Sequence, residues 1–158
     1  MRISFDVDDT LVLYQPDAPV EVVVPWWWRW RFPEPLRFGT KSLMQSLLAR
    51  GHELCIYTTS YREPRYLRGW FRSIGVRLVE AINQDVHDKV VKKSHFPGYP
   101  PSKYPPAFNI DLHVDDSEGV GMEGREHGFQ VIVVTPSDIE WVSRVLNAVD
   151  GINCGEYP

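Results

Sequence analysis

The stretch Ile3-Ser4-Phe5-Asp6-Val7-Asp8-Asp9-Thr10-Leu11 lies near the start of a 158-residue chain. Residues 2–7 (RISFDV) form a short apolar run of strand length. They predict a core strand with Asp6 and Asp8 at its carboxyl end. Two carboxylates separated by one residue, with further acid nearby, repel each other unless a cation lies between them. Oxygen-only ligands favour a hard ion, Mg²⁺ or Ca²⁺, over zinc. A calcium EF-hand counted from Asp6 needs Gly at residue 11 and Glu at residue 17, where this chain has Leu11 and Asp17. A Walker-type nucleotide loop needs G-x-x-x-x-G-K-[ST], and Gly39-Thr40-Lys41-Ser42 has the wrong spacing. An exposed acidic turn is the plain alternative for an isolated D-x-D.

Outward from this strand, short apolar runs alternate with helix-period segments, the pattern of a parallel sheet covered by helices. A helix is predicted from about Lys41 to Arg50, with Leu43, Leu47 and Leu48 on one face and Gly51 as its stop. Residues 53–57 (ELCIY) read as a second strand. Pro64 opens a second helix whose stripe is Leu67, Trp70, Phe71 and Ile74, and Gly75 ends it. Further strands are expected at Val76–Val79, Ile110–Val114 and Phe129–Val134, then a last helix from Ser137, as N-cap, through Val149. Two stretches break the rhythm. Residues 14–38 contain WWWRWR, and residues 94–109 carry five prolines and predict neither helix nor central strand. Both could lie over the carboxyl ends of the strands, where sites of α/β sheets form.

The totals narrow the class. A chain of this length fits one domain, expected over residues 1–150, with a loose tail at 151–158. Hydrophobic residues make up 43%, enough for a buried core and too many for a disordered chain. The longest apolar runs are strand-sized, so no membrane span is expected. Met1-Arg2 leads straight into the first strand, which predicts no signal peptide. Two cysteines, Cys55 and Cys154, give no disulfide framework, and a cytoplasmic location follows as the expectation. A net charge of −4 argues against a general nucleic-acid binder.

Thr58 directly follows the second strand in LCIYTTS, Lys103 falls in the proline-rich loop, and Asp115-Asp116 follow the fourth strand in IDLHVDD. With D-x-D-x-T-L at residues 6–11, these motifs resemble those of the haloacid dehalogenase (HAD) superfamily over about residues 3–134. The resemblance implies a Rossmann-like, three-layer α/β sandwich with a central parallel sheet. Its order would be 5-4-1-2-3, numbering the five expected strands along the chain. The flap, at about residues 14–38, is short, and neither gap between motifs has room for a large cap. Open sites of this kind suit a bulky phosphorylated substrate, including a macromolecule, and leave room for a partner subunit as lid.

The resemblance further implies a Mg²⁺-dependent phosphatase. Asp6 would be the nucleophile that forms a phosphoaspartate, and Asp8 the general acid and then base. Mg²⁺ would be held by the Asp6 carboxylate, the Asp8 carbonyl and Asp116, with Asp115 in support. Thr58 would donate to a phosphoryl oxygen, and Lys103 would neutralise its charge and orient Asp6. Neighbouring carboxylates would raise the Asp8 pKa and favour its acid form, while the metal opposes it. Receiver domains also combine acids, Thr, Lys and Mg²⁺, but their phosphorylated Asp ends the third strand. Here that strand, in RLVEAIN, ends without Asp.

Other residues stay open to two readings. Lys89, Lys92 and Lys93 compete with Lys103 for the ammonium role, although VVKK also reads as a solvated helix face or end. A flap strand through WWWRWR would put Trp26, Trp28 and Trp30 on one side, and Trp27, Arg29 and Arg31 on the other. Arg29 and Arg31 could then greet an anionic substrate, or the tryptophans could simply pack on the sheet. Thr59 and Arg62 are further substrate-binding candidates beside Thr58, and His95 is another in the loop. His113, within the fourth strand, reads as a satisfied core residue. Two alternatives to the enzyme remain. One is a catalytically silent metal-binding interaction module. The other is a single-stranded nucleic-acid binder using the Trp/Arg flap; under the phosphatase reading, nucleic acid enters only as substrate.

Overall fold

The computed structural model describes residues 1–91, 96 and 98–153, and within these the side chain of Asn153 is excluded. Five parallel strands form the central sheet: β1 (Arg2–Phe5), β4 (Glu53–Tyr57), β5 (Leu78–Ile82), β6 (Leu112–Asp115) and β7 (Gln130–Val133). Two further strands, β2 (Val20–Glu21) and β3 (Leu36–Arg37), pair as a short antiparallel ribbon within the flap. The helices α1 (Thr40–Ala49), α2 (Pro64–Ser73), α3 (Gln84–Val90), α4 (Glu118–His127) and α5 (Trp141–Asn153) cover both faces. The sheet order is β5-β4-β1-β6-β7. As a string of labels this differs from the expected 5-4-1-2-3, because the unforeseen ribbon strands β2 and β3 take two numbers in the count.

Strand β1 lies at the centre because it is buried on both faces, with Ile3 and Phe5 on one and Ser4, paired to His113, on the other. Ile3 and Phe5 are fully buried, as are Leu54 and Ile56 of β4 and Leu112 and Val114 of β6. They join one core with Leu43, Met44 and Leu47 of α1, Trp70 and Phe71 of α2, and Val145 and Val149 of α5. Strand neighbours buried on both faces are what a parallel sheet requires. Cys55 is buried on the opposite face of β4 from Leu54 and Ile56, and burial pushes its thiol up to about 12. No helix among the described residues is long and apolar enough to cross a membrane.

Several boundaries depart from expectation for local reasons. The third core strand lies at Leu78–Ile82, later than Val76–Val79, because Val76 N closes the α2 terminus on Phe71 O at 2.9 Å. The fourth and fifth run at Leu112–Asp115 and Gln130–Val133, so Asp115 is itself the last residue of its strand. Ser137 is not a helix N-cap. Asp138 N donates to Thr135 O at 3.0 Å, and the Arg37 guanidinium takes the carbonyls of Thr135 and Asp138 at 2.9 and 2.6 Å. Those carbonyls are therefore committed to Arg37, and α5 begins at Trp141. It continues to Asn153, so the first residues of the expected loose tail are helical; residues 154–158, including Cys154, lie outside the described residues. The proline-rich loop is not wholly irregular, since Pro105–Phe108 form a 3₁₀ turn with proline in its first positions, where a missing N–H costs nothing.

Two helices have no counterpart in the sequence reading. Helix α3 starts at Asn83, whose side chain accepts from Val86 N at 3.0 Å. Helix α4 (EGVGMEGREH) lacks an apolar stripe because it packs through glycine. A Cβ at Gly124 would sit 2.8 Å from both Phe129 O and Val131 Cγ2, so the helix backbone lies against β7 itself.

Candidate active site

Register alone gathers the motifs at one sheet edge. Phe5 pairs with Ile56 on one side and Val114 on the other, and Asp6 N donates to Val114 O at 2.9 Å. Asp6, Thr58 and Asp115 therefore leave neighbouring strand tips together. Beyond Asp6 the chain folds into a tight loop in which Val7 O accepts from Leu11 N and Val12 N at 2.9 and 2.8 Å. Asp9 occupies the left-handed region there (φ 55°), a conformation that Asp tolerates better than most residues. The turn carries Thr10 back to β6, where its hydroxyl donates to Asp116 Oδ1 at 3.2 Å.

Lys103 is held from both sides. Ser102 N and Oγ donate to the Glu123 carboxylate of α4 at 2.9 and 2.8 Å, and Tyr104 N donates to Tyr57 OH at 2.7 Å. Between these anchors Lys103 is 3% exposed, with its ammonium 2.8 Å from Asp6 Oδ1 and 2.5 Å from Asp115 Oδ2. The contact with Asp6 is an ion pair without the alignment of a hydrogen bond, and Asp6 Oδ1 has no hydrogen-bond partner. Asp115 is fully engaged: His113 Nε2 meets Oδ2 at 2.8 Å, and Ser117 N donates to Oδ1 at 2.9 Å. His113 Nδ1 pairs in turn with Ser4 Oγ at 2.7 Å. Thus His113 is a satisfied core residue, and it also braces a site acid, a link that the sequence reading missed.

The charges do not balance. Asp6, Asp115 and Asp116 place carboxylate oxygens within 4.8 Å of one another, against a single ammonium. Burial pushes the Asp6 carboxyl above its ordinary range, against the pull of Lys103. Burial also raises Asp116, with Asp115 and Asp6 adding repulsion. Burial would raise Asp115 too, but His113 and Lys103 outweigh it and hold that carboxyl well below the usual range. For Lys103 burial opposes the charged form, and Asp6 and Asp115 override it to raise the ammonium pKa. Surplus negative charge and an all-oxygen donor set fit a hard divalent cation. Asp116 is the acid with capacity to spare, since both Asp115 oxygens are taken.

Asp8 stands apart from this cluster and corrects an expectation. Its Oδ2 accepts from Arg62 Nη1 at 2.8 Å and its Oδ1 from Tyr14 OH at 2.5 Å. Burial would raise this carboxyl, yet the Arg62 and Tyr14 hydrogen bonds hold it below the ordinary range. Neighbouring carboxylates do not set it; a cation does. Arg62 also bonds Glu34 Oε1 of the flap at 2.8 Å and Tyr14 OH at 3.1 Å. Tyr14 and Glu34 were missed because each is an ordinary surface residue in the sequence, and contact with Arg62 depends on how the flap folds back.

The remaining candidates are placed as follows. Thr58 is buried, its N bonded to Ile82 O at 2.9 Å and its Oγ1 accepting from Ser60 N at 3.2 Å. Thr59 is exposed at the same turn. Arg29 and Arg31 are exposed, and among the described residues neither pairs with a site acid. The expected flap strand is absent. Trp26–Trp28 form a 3₁₀ turn, and Arg31 N and Phe32 N both return to Trp28 O at 2.9 and 3.0 Å. A chain wound this way cannot alternate sides, and Trp26, Trp27, Trp28 and Trp30 all face solvent. Lys89 is exposed on the last turn of α3, while Lys92, Lys93 and His95 lie outside the described residues.

No protein-family model matches the chain, and no curated protein matches it. Solved structures share its fold. One chain of the Pnkp1/Rnl/Hen1 complex is 16% identical with a TM-score of 0.51, over 87% of this chain and 47% of that one. This chain therefore spans about half the length of that relative. The HAD domain of the effector Lem4 from Legionella pneumophila, solved as an inactive mutant, is 10% identical with a TM-score of 0.50, covering 94% of this chain and 92% of that one. The fold is thus HAD-like, and its acids Asp6, Asp115 and Asp116 lie close enough together to hold a metal ion. At such identities the likeness speaks for the fold alone.

Proposed function

We propose that the chain is a Mg²⁺-dependent phosphatase of the HAD type with a short flap in place of a large cap, acting on a phosphate monoester through Asp6. The observation that carries this reading is the cluster of Asp6, Lys103, Asp115 and half-buried Asp116 where β1 and β6 of the central sheet end. The Asp6 and Asp116 carboxylates, with the Asp8 carbonyl, would hold the ion, and Asp115 would fix Lys103. Bound there, Mg²⁺ would offset phosphoryl charge that Lys103 alone cannot balance.

The oxygen of Asp6 not held by Lys103 attacks phosphorus, and the ester oxygen leaves with a proton from Asp8. Water then hydrolyses the phosphoaspartate, giving its proton back to Asp8 and releasing inorganic phosphate. Thr58 and Thr59, at the next strand tip, would donate to phosphoryl oxygens. Asp8 can serve as acid once Arg62 leaves it, and an arriving phosphate dianion competes for that guanidinium.

The test is hydrolysis of p-nitrophenyl phosphate with Mg²⁺ and with a chelator. Asp6→Asn should lower turnover by about 10³-fold or more, since the nucleophile is lost. Full activity in Asp6→Asn, or in chelator, refutes the reading.

A further inference from the structure

The flap tryptophans have no role in the chemistry above, yet they are held in a defined position. Phe32 is buried at the base of the flap, stacked on Trp28 at a centroid distance of 5.9 Å and packed against Tyr66 of α2 at 5.2 Å. Gly69 admits it: a Cβ there would already touch Phe32 Cζ at 3.4 Å. On this base Trp28 and Trp30 overhang α2 and, with Arg31, Phe32, Gly69, Arg72 and Ser73, line a groove of about 660 Å³. A second hollow, of about 390 Å³, adjoins it through Arg72 and is lined by Arg68, Arg77 and Leu78.

The charge of this face runs against that of the whole molecule. The chain carries a net −4, but residues 61–77 hold five arginines and one acid, Glu63. Among the described residues Arg31, Arg68, Arg72 and Arg77 form no ion pair, while Glu63 faces Arg65 at 3.9 Å. Trp30 is 77% exposed and Trp26 78%, far more than packing would leave. Unpaired guanidinium groups beside exposed indoles suit a polymer that carries both phosphates and flat bases. An acidic peptide would engage the arginines but leave the indoles wet. The groove lies toward the end of α2 farther from the site, at Gly69, Arg72 and Ser73, so a strand bound there runs back along the helix for its end to reach Asp6. Arg62 on Asp8 stands just before the first turn of α2, and this ten-residue helix spans about 15 Å.

We infer that the Trp28–Trp30 groove and the Arg68/Arg72/Arg77 face of α2 bind single-stranded nucleic acid, whose phosphate ester is the group turned over at Asp6. This rests on the phosphatase reading, so the two are tested apart. Fluorescein-labelled 12-mers of thymidylate and uridylate, with and without a terminal phosphate, are titrated at several salt concentrations. Four phosphate contacts on a single strand give a slope of about −2.8 in log K against log salt. Arg72→Ala should flatten that slope by about 0.7, and Trp30→Ala should weaken binding roughly 5- to 150-fold by loss of one stacked base. Both side chains are exposed, so hydrolysis of p-nitrophenyl phosphate should be unchanged in either variant. Removal of the terminal phosphate from the bound 12-mer should fall in step with binding. Absence of oligonucleotide binding in a protein that hydrolyses p-nitrophenyl phosphate overturns the inference and leaves the phosphatase intact. Binding that survives both substitutions, or a phosphopeptide captured through Trp30 in place of the strand, overturns it equally.

Discussion

Replacing Lys103 by Met keeps the bulk of the side chain and removes one charge from the most buried part of the site. Lys103, Asp6 and Asp115 are 3%, 6% and 1% exposed, so neither carboxylate can turn to water for compensation. Deleting one partner of a buried ion pair typically costs about 3–5 kcal/mol, because the other charge is left stranded. In a chain of this size each kcal/mol is worth about 2–4 °C, so the melting temperature without metal should fall by roughly 6–20 °C. Differential scanning calorimetry at pH 7 in chelator measures this directly. Repeating the scan in Mg²⁺ adds a second readout. A ligand at a hundredfold its Kd stabilises by about 2.7 kcal/mol, and the variant, with more uncompensated charge, should gain more from the ion than the wild type. Lys103→Met with Asp115→Asn should recover part of the loss, since one stranded charge is then gone. A melting temperature within about 2 °C of wild type in chelator would mean that Lys103 does not balance these acids, and the account of the site would fall with it.

Arg62→Ala probes the second acid. The Asp8 carboxyl is held below its ordinary range, so its ionised form stabilises the folded state. That contribution is fully present above the unfolded pKa near 3.9 and is lost as pH falls through the lower folded value. Wild type and Arg62→Ala should therefore differ in stability above about pH 5 and draw together only as pH falls through the lowered folded value, with a gap of about 1 kcal/mol or less for so accessible a pair. A gap that widens on acidification contradicts the assignment, and urea titrations across pH provide the test. Gly124→Ala should destabilise by about 1–3 kcal/mol, because its Cβ would meet the Phe129 carbonyl at 2.8 Å, while Mg²⁺ binding stays unchanged. A Gly124→Ala variant as stable as wild type would show that α4 does not lie so close to β7.

What could be read from the sequence was whatever depends on neighbours along the chain. Alternating apolar runs gave the strands, and the acids stood at strand tips because polar residues cannot continue a buried run. Helix α2 was legible through Pro64 and its Leu67–Trp70–Phe71–Ile74 stripe. Helix α4 was not, because its packing face is backbone, and glycine leaves no apolar signal. The start of α5 was misplaced for a non-local reason, the capture of Thr135 and Asp138 carbonyls by Arg37, about a hundred residues earlier. Likewise Lys103 could be proposed from its place before β6, but its ion pair depends on anchors at Glu123 and Tyr57. The Arg62–Asp8 contact spans 54 positions. In the flap, strand alternation failed because, among the described residues, no second strand pairs with residues 26–31, so the chain took a turn instead.

Arg37 has a consequence for how such a domain could diversify. Its N–H bonds Leu11 O at 2.7 Å, its guanidinium grips the segment after β7, and its charge lies 4.7 Å over the Trp141 ring. Chain leaving the D-x-D turn thus returns to a fixed mooring almost where it departed. With both ends moored, lengthening the excursion between them costs little, because closure entropy grows slowly with loop size. Evolution could exchange the Trp-bearing part of this excursion, between Tyr14 and Glu34, and redirect the domain to new molecules while those two residues kept their hold on Asp8 and Arg62.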